Sequence, residues 1–220
     1  MREARVKTRI VCLAVLMTAA AAPLAAQRSG WALGFGGSGS FYFDKSFTAP
    51  PGSAEAGFGS SFVLGAWLTQ DLYGKVGGEI RYAFQQNGLR LKAGGDEVTM
   101  DGRSHAFSYS VHLHFTDRRS SVRPYVAIGG GMKRYAGTGT ESPTQPLQDY
   151  AILTRTSEWK PLVVFGAGVK FRAGDHVRFH IELLDYTTPV PKQVILPGPG
   201  ADLGGWIHNL APMAGISFVF

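Results

Sequence analysis

The stretch Val177-Arg178-Phe179-His180-Ile181-Glu182-Leu183 alternates apolar and polar side chains at every position. Side chains along a β-strand point alternately to its two faces. The stretch therefore predicts a strand with one apolar face and one face that carries arginine, histidine and glutamate. Strict alternation of this kind is typical of a strand whose two faces meet different environments.

The same period of two recurs along the chain and predicts seven more strands. They lie at 30–42, 58–68, 73–85, 105–115, 122–135, 161–172 and 208–220. Several reach the length of about 9–11 residues that a strand needs to cross a bilayer. Beyond residue 26, no stretch has the roughly 18 consecutive apolar residues of a membrane-spanning helix. The chain is therefore predicted to be all-β.

The connections between these strands alternate in length. Those at 69–72, 116–121 and 173–176 are short, whereas those at 43–57, 86–104, 136–160 and 184–207 are long and polar or proline-rich. Membrane barrels have short turns on the periplasmic rim and longer loops on the opposite rim. The sorting of the connections therefore favours a membrane barrel over a soluble β-sandwich.

The first 26 residues have the features of a secretory signal peptide. Four basic residues precede an apolar run from Ile10 to Ala22, and Ala25 and Ala26 offer a cleavage site before Gln27. The run is shorter than the roughly 20 residues of a transmembrane helix. We therefore expect residues 1–26 to be removed and residues 27–220 to form the β-domain.

The composition agrees with export and argues against a nucleic-acid partner. Charged residues make up 17% of the chain, against about 25% in soluble domains. The leader carries four of the 22 basic residues and one of the 16 acidic ones, so its loss lowers the formal net charge from +6 to +3. No nucleic-acid partner is therefore expected. The single cysteine, Cys12, also lies in the leader, so no disulfide is expected.

Three stretches, Tyr73–Tyr82, Arg123–Met132 and Gly215–Phe220, combine glycine, aromatic and alternating residues. They resemble the small outer-membrane β-barrel proteins of Gram-negative bacteria, the group that includes the OmpA transmembrane domain and OmpX-like proteins. The resemblance implies an eight-stranded antiparallel up-and-down transmembrane β-barrel in the cell outer membrane. It also implies a monomer surrounded by outer-membrane lipid and lipopolysaccharide. Gly215, Phe218 and Phe220 match the C-terminal signal of that group, which implies recognition of the last strand by the barrel-assembly machinery.

The polar faces of eight strands would share a lumen just wide enough for side chains to fill. The polar residues predicted there are Lys75, Glu79, Arg81, His112, His114, Lys133, Lys170, Arg178, His180 and Glu182. Two interpretations stay open, a salt-bridged plug and an ion pathway. The plug is favoured, because Glu79 and Glu182 would then neutralise neighbouring cations and few charges would be buried unpaired.

Other site chemistries find little support in the sequence. The three lumen histidines have no cysteine or carboxylate at ligand spacing, so neither a metal nor a cofactor is predicted. The glycine pattern at 34–39 precedes no helical period, so it is not interpreted as a nucleotide site. His105 and Ser108 do not match the His-x-Ser pattern of barrels that deacylate lipid A, and no catalytic residue is assigned.

The long loops are the expected place of function, because binding residues concentrate on loops held by a rigid scaffold. We expect a structural, adhesive or surface-binding role rather than catalysis. The alternatives are a narrow porin-like pore, a lipid A-modifying enzyme and a soluble secreted barrel. Aromatic residues near the predicted strand ends, Trp67, Tyr73, Tyr82 and Tyr135, are expected to form the girdles at the membrane interfaces.

Overall fold

A computed structural model describes residues 30–220, and the predicted signal peptide lies outside these described residues. Within residues 30–220, no helix is long and apolar enough to span a bilayer. The strands are β1 (Trp31–Tyr42), β2 (Lys45–Ala49), β3 (Gly52–Phe58), β4 (Ser61–Tyr73), β5 (Val76–Gln86), β6 (Leu89–Ala93), β7 (Asp96–Met100), β8 (Gly102–His114), β9 (Val122–Gly137), β10 (Ala151–Leu153), β11 (Ser157–Arg172), β12 (Val177–Pro189), β13 (Ile195–Pro197), β14 (Trp206–Ile207) and β15 (Asn209–Val219).

Eight of these strands form a closed antiparallel barrel, in the order β1, β4, β5, β8, β9, β11, β12 and β15. The ring closes where β1 pairs with β15, with Gly36 opposite Gly215. A closed ring leaves no unpaired strand edge, and this is what a backbone in hydrocarbon requires. The predicted eight-stranded up-and-down barrel is confirmed.

The two faces of the barrel strands differ in the way that the alternation predicts. On β12, Phe179, Ile181 and Leu183 point outward and are exposed, whereas His180 and Glu182 point inward and are buried. Apolar residues on the other strands extend this exposed outer belt, among them Leu33, Phe35, Leu64, Ile80, Phe107, Tyr109, Leu113, Ile128 and Phe165. A soluble barrel would bury these side chains, so the observed orientation fits a barrel surrounded by lipid.

The short connections lie together at one end of the barrel, called here the turn rim. The turn between β4 and β5 consists of Gly74 and Lys75, and Gly74 adopts a left-handed conformation with φ of 49°. The predicted position at 69–72 is wrong, because β4 continues to Tyr73. The other two short connections comprise residues 115–121 and 173–176.

The four long connections at the opposite rim fold together into a cap. Here β2, β3, β6 and β7 form a four-stranded sheet, β10 pairs with β13, and β14 pairs with the end of β12. All four connections contribute to one apolar core, which contains Phe47, Ala54, Ala56, Phe58, Leu89, Leu91, Ala93, Met100, Leu147, Ala151, Leu153, Val190, Val194, Ile195, Leu203 and Ile207. Tyr42 and Tyr135 at the barrel mouth belong to the same core, so the cap packs directly on the mouth.

Candidate functional site

The barrel lumen holds most of the polar residues that the sequence predicts there. Eight of them are buried: Glu79, Arg81, His112, His114, Lys133, Lys170, His180 and Glu182. Arg178 lies partly buried at the turn rim. Lys75 lies outside the lumen, exposed in the turn after β4, where its Nζ donates to the carbonyl oxygen of Phe115 at 3.4 Å. Strand alternation does not govern Lys75, because the residue belongs to a turn.

Arg81 is the centre of the lumen network. Its Nε donates to Glu79 Oε1 at 2.6 Å, and its Nη1 donates to Glu182 Oε1. The other oxygen of Glu182 accepts a hydrogen bond from the Tyr125 hydroxyl at 2.5 Å. Lys170 places its Nζ 4.9 Å from the centre of the Tyr125 ring. Arg81 thus bridges the two carboxylates, and buried charges are tolerated when they are paired in this way.

The indole of Trp67 fills the lumen beside Arg81. Its Nε1 donates to Ser217 Oγ at 3.0 Å, and that hydroxyl lies 2.7 Å from His180 Nε2. The guanidinium of Arg81 lies 4.6 Å from the centre of the indole ring, which is a cation–π distance. Trp67 therefore joins the charged network to the strands that close the barrel.

The prediction that Trp67 and Tyr135 belong to aromatic girdles is wrong. Both side chains are buried, because each lies on its strand in phase with inward residues. Tyr135 packs into the cap core, where its ring stacks 4.8 Å from that of Phe58. Tyr73 is fully on the outside and Tyr82 is partly exposed, so these two keep positions that a girdle allows.

A tryptophan fits this narrow lumen because neighbouring strands carry glycine beside it. A Cβ atom at Gly34, Gly36 or Gly215 would collide with the indole of Trp67. We call these three residues the glycine bay. The bay gives the glycine-rich first strand a packing role, and it gives Gly215 a structural role besides its predicted part in assembly.

Lys133 lies nearer the cap and is completely buried. Its Nζ donates to the Tyr42 hydroxyl (2.8 Å), Gln85 Oε1 (2.7 Å) and Asn209 Oδ1 (3.1 Å). It also lies 4.9 Å and 5.1 Å from the ring centres of Tyr42 and Tyr135. Three oxygen acceptors use all three N–H groups of the ammonium, so its burial is compensated by hydrogen bonds and aromatic faces.

Several residues that face the lumen were not predicted from the sequence. Arg123 and Tyr125 lie on β9 in phase with Lys133, so continued alternation along the strand was the signal that could have found them. Asp71 was missed because it fell in a predicted turn. It accepts a hydrogen bond from Arg123 Nη1 at 3.2 Å and lies 3.8 Å from Arg178 Nη1.

The structure places His105 and Ser108, the two residues considered for lipid A deacylation, on opposite faces of β8. Ser108 points into the lumen, whereas His105 points outward, with its Nδ1 2.8 Å from the Tyr82 hydroxyl. The two side chains therefore cannot act on one substrate. Within residues 30–220, no group of three or more histidine, cysteine, aspartate and glutamate side chains is arranged to hold a metal ion.

The predicted assembly residues lie at the end of the chain. Gly215 belongs to the glycine bay. Phe218 points outward on β15, with its ring 6.2 Å from that of Phe35 on the paired strand. Phe220 follows the last strand and is exposed. Their recognition by the assembly machinery stays a prediction.

Comparison with known proteins agrees with this architecture. A family model described as "Outer membrane protein beta-barrel domain" matches residues 10–204. Neisserial surface protein A is similar at 12% identity and a TM-score of 0.52, over 87% of this chain and 98% of that one. The outer membrane protein AlkL, solved in lipid bilayers, is similar at 13% identity and a TM-score of 0.50, over 90% and 95%.

The outer membrane protease OmpT from Escherichia coli is similar at 9% identity and a TM-score of 0.50, over 90% of this chain and 99% of that one. At these identities the likeness concerns the fold alone. No curated protein matches the chain.

Proposed function

Because this chain belongs to the outer membrane protein β-barrel domain family, we propose that it is a non-conducting surface protein that makes its contacts through the cap. The observation that carries the proposal is the double closure of the barrel. The network around Arg81 fills the lumen, and the apolar core of the cap covers its mouth. An ion would have to displace both, so a structural or adhesive role is favoured over transport.

The outer face of the cap sheet is suited to contacts with a polar partner. Asp44 accepts from Arg90 at 2.7 Å, and Lys92 lies 3.8 Å from both Asp44 and Glu97. Arg90, Lys92 and Glu97 stand on the paired strands β6 and β7, and the contact with Arg90 holds Asp44, which lies between β1 and β2. A partner that binds a prearranged surface avoids the entropic cost of ordering it.

Planar-bilayer recording separates this proposal from the narrow-pore alternative. The purified, refolded protein is expected to give no steady unit conductance. A variant that removes the central network, Arg81→Ala with Glu182→Ala, tests whether the lumen side chains are what closes the barrel, and Lys92→Ala on the cap is the matched control. Steady current steps from the unchanged protein would overturn the proposal.

A complementation experiment distinguishes a binding role of the cap from a purely structural one. Cells that lack the protein are supplied with the unchanged chain or with the cap variant Glu55→Lys/Glu97→Lys, which reverses two exposed charges on β3 and β7. A binding role predicts that both restore detergent resistance, whereas only the unchanged chain restores adherence to glass. Equal adherence of cells that carry either chain would assign the adhesive role to the barrel rather than to the cap.

Mass spectrometry of lipid A from the same cells tests the enzyme alternative, and we expect no change in the acyl chains of lipid A.

We further propose that lipopolysaccharide phosphates bind to the outer wall of the barrel near the cap. Arg103 and Arg134 are exposed there, and neither has a carboxylate within 4.0 Å among residues 30–220. His105 and Trp159 lie directly across from Arg134 on the two neighbouring strands. Guanidinium groups bind phosphate through paired hydrogen bonds. Aromatic side chains suit the membrane interface.

This lipid contact is tested by measuring the lipopolysaccharide that copurifies with the protein in a non-ionic detergent. The variant Arg103→Ser/Arg134→Ser is expected to retain about tenfold less, since each arginine contributes a charge-assisted hydrogen bond. Arg155→Ser, an exposed change in the cap, is the matched control. Equal retention by all three proteins would contradict the assignment.

A further inference from the structure

Four arginines, Arg118, Arg123, Arg172 and Arg178, gather at the turn rim of the barrel. Arg123 Nη1 lies 3.2 Å from Asp71 Oδ1, and Arg178 Nη1 lies 3.8 Å from Asp71 Oδ2. Arg118 Nη2 donates to the backbone carbonyl oxygen of Asp71 at 2.9 Å. Asp71 thus contacts two of the four arginines through its carboxylate and a third through its backbone. The turn rim therefore gathers these cations around Asp71, whereas Arg81 deeper in the lumen lies between two glutamates.

The strand pairing places like charges directly opposite one another. Arg123 on β9 is the partner of Lys170 on β11, and Arg172 on β11 is the partner of Arg178 on β12. Like charges at directly opposite positions destabilise a sheet. A bound anion between these side chains would relieve the repulsion.

Arg123 presents one complete edge of its guanidinium without a partner. The side chain is 2% exposed. Its Nη1 is occupied by Asp71, but its Nε and Nη2 have no hydrogen-bond partner within the described part of the chain. The N–H bonds of Nε and Nη2 point in the same direction and form the fork that binds two oxygens of one phosphate or carboxylate. Buried donors without acceptors are costly, so a ligand that accepts from both is favoured.

The outer edge of this arginine cluster faces the aqueous side. The side chain of Arg178 is 17% exposed, and Arg172 is exposed beside it. Arg172 Nη2 donates to the carbonyl oxygen of Arg118 at 2.7 Å, which holds the turn at 115–121 against the rim. The two fork nitrogens of Arg123 are themselves closed to solvent, so a small anion reaches them only when side chains at this edge, such as that of Arg178, move aside.

We propose that the arginine cluster at the turn rim binds a small oxyanion of the phosphate class. Two of its oxygens accept from Nε and Nη2 of Arg123, and the remaining charge faces Arg178. A chloride ion can accept from both N–H groups only at a single centre, so its hydrogen bonds are bent, whereas two oxygens of one phosphate accept two parallel hydrogen bonds. Both free phosphate and the phosphodiester of a lipid headgroup in the adjacent leaflet have the required oxygens.

The test uses the full chain refolded in an uncharged maltoside detergent. The thermal unfolding midpoint is measured against sodium phosphate and against sodium chloride at matched ionic strength. Because a ligand of the folded state stabilises it by mass action, phosphate is expected to raise the midpoint in a saturable way beyond the effect of chloride. Line broadening in the ³¹P NMR spectrum of inorganic phosphate gives a direct reading of the same binding.

Variants locate the site. Arg123→Gln is expected to weaken phosphate binding by about tenfold or more, as loss of charge-assisted hydrogen bonds does. Arg119→Gln, an exposed change in the same turn, is the matched control and should leave binding unchanged. Because Arg123 is buried, its replacement can impair folding, so Arg178→Gln at the partly exposed edge is tested in parallel. Folding of each variant is checked by its gel mobility before and after heating.

Dimethyl phosphate, a diester, distinguishes the two sources of the ligand. Its competition with inorganic phosphate would support a lipid headgroup, and failure to compete would support free phosphate. The proposal is overturned if phosphate and chloride shift the midpoint equally, or if folded Arg123→Gln and Arg178→Gln variants bind phosphate as the unchanged protein does.

Discussion

Trp67 on β4 and Ser217 on β15 lie 150 residues apart in the chain, yet the indole Nε1 donates a hydrogen bond to Ser217 Oγ at 3.0 Å inside the lumen. The strand β1 lies between them and pairs with both neighbours. The indole has room there only because of the glycine bay. Packing of one tryptophan and closure of the barrel therefore depend on each other.

The variant Gly215→Ala is expected to destabilise the barrel by about 1–3 kcal/mol, because its methyl group overpacks a filled site against Trp67. Urea unfolding of the refolded protein, followed by gel mobility, measures the change. Gly130→Ala is the matched control, since a Cβ there meets only the carbonyl oxygen of Leu162 at 3.4 Å.

The double variant Gly215→Ala/Trp67→Phe should recover only the part of the loss that comes from the indole, because the added Cβ also lies 2.7 Å from the backbone oxygen of Phe35. Refolding from urea occurs without the assembly machinery. A defect seen in cells but absent from refolded protein would therefore assign Gly215 to assembly rather than to packing.

Loss of Arg81 should be far more damaging than loss of an exposed cation. The variant Arg81→Gln leaves Glu79 and Glu182 facing each other without their arginine, and breaking a buried ion pair costs about 3–5 kcal/mol. Lys92→Gln on the cap is the control, and loss of its exposed pairs is expected to cost under about 1 kcal/mol. Similar urea midpoints for the two variants would contradict the central role of Arg81.

Two neighbouring residues test whether the cap is held by its apolar core. Ile195 is 0% exposed and Leu196 is 46% exposed. Ile195→Ala should weaken the cap by about 2–5 kcal/mol, as truncation of buried side chains does, while Leu196→Ala should have little effect. Limited trypsin digestion is expected to cleave the first variant at Arg155 and Lys192 while the barrel keeps its gel mobility. Equal cleavage of both variants would argue against a shared core.

Lipid quenching tests the orientation of the barrel wall. In variants that keep one tryptophan, brominated lipids should quench Trp159, which is 49% exposed on the outside. They should hardly affect Trp67, which is 2% exposed and faces the lumen. The contrast follows because bromine atoms on acyl chains reach only the outer wall. Strong quenching of Trp67 would mean that the faces of β4 are reversed.

The barrel strands could be predicted because each presents a long alternation whose two faces meet lipid and a polar lumen. Trp67 could not be placed in the same way, because an indole suits an interface girdle as well as a lumen. Its position depends on the glycine bay, whose members lie on two other strands. That information is tertiary, and no local pattern around Trp67 contains it.

The secondary structure of the cap could be predicted only in part from the sequence. Residues 89–93 alternate leucine or alanine with arginine and lysine, which indicates a strand. Gly94 and Gly95 follow with φ values of 60° and 95°, and two such residues favour a tight hairpin. This hairpin was open to prediction. The β10–β13 pair was not, because its three-residue strands come from separate connections and are too short to show a period.

The common core of the four long connections limits how the exposed end of the protein can evolve. A substitution of a core residue in one connection changes the packing of the other three, so these segments cannot change in sequence independently as separate surface loops can. Tolerated amino-acid changes should therefore concentrate at solvent-facing tips such as residues 50–53 and 94–97. Peptide tags should also be accepted at those tips and rejected elsewhere in the cap.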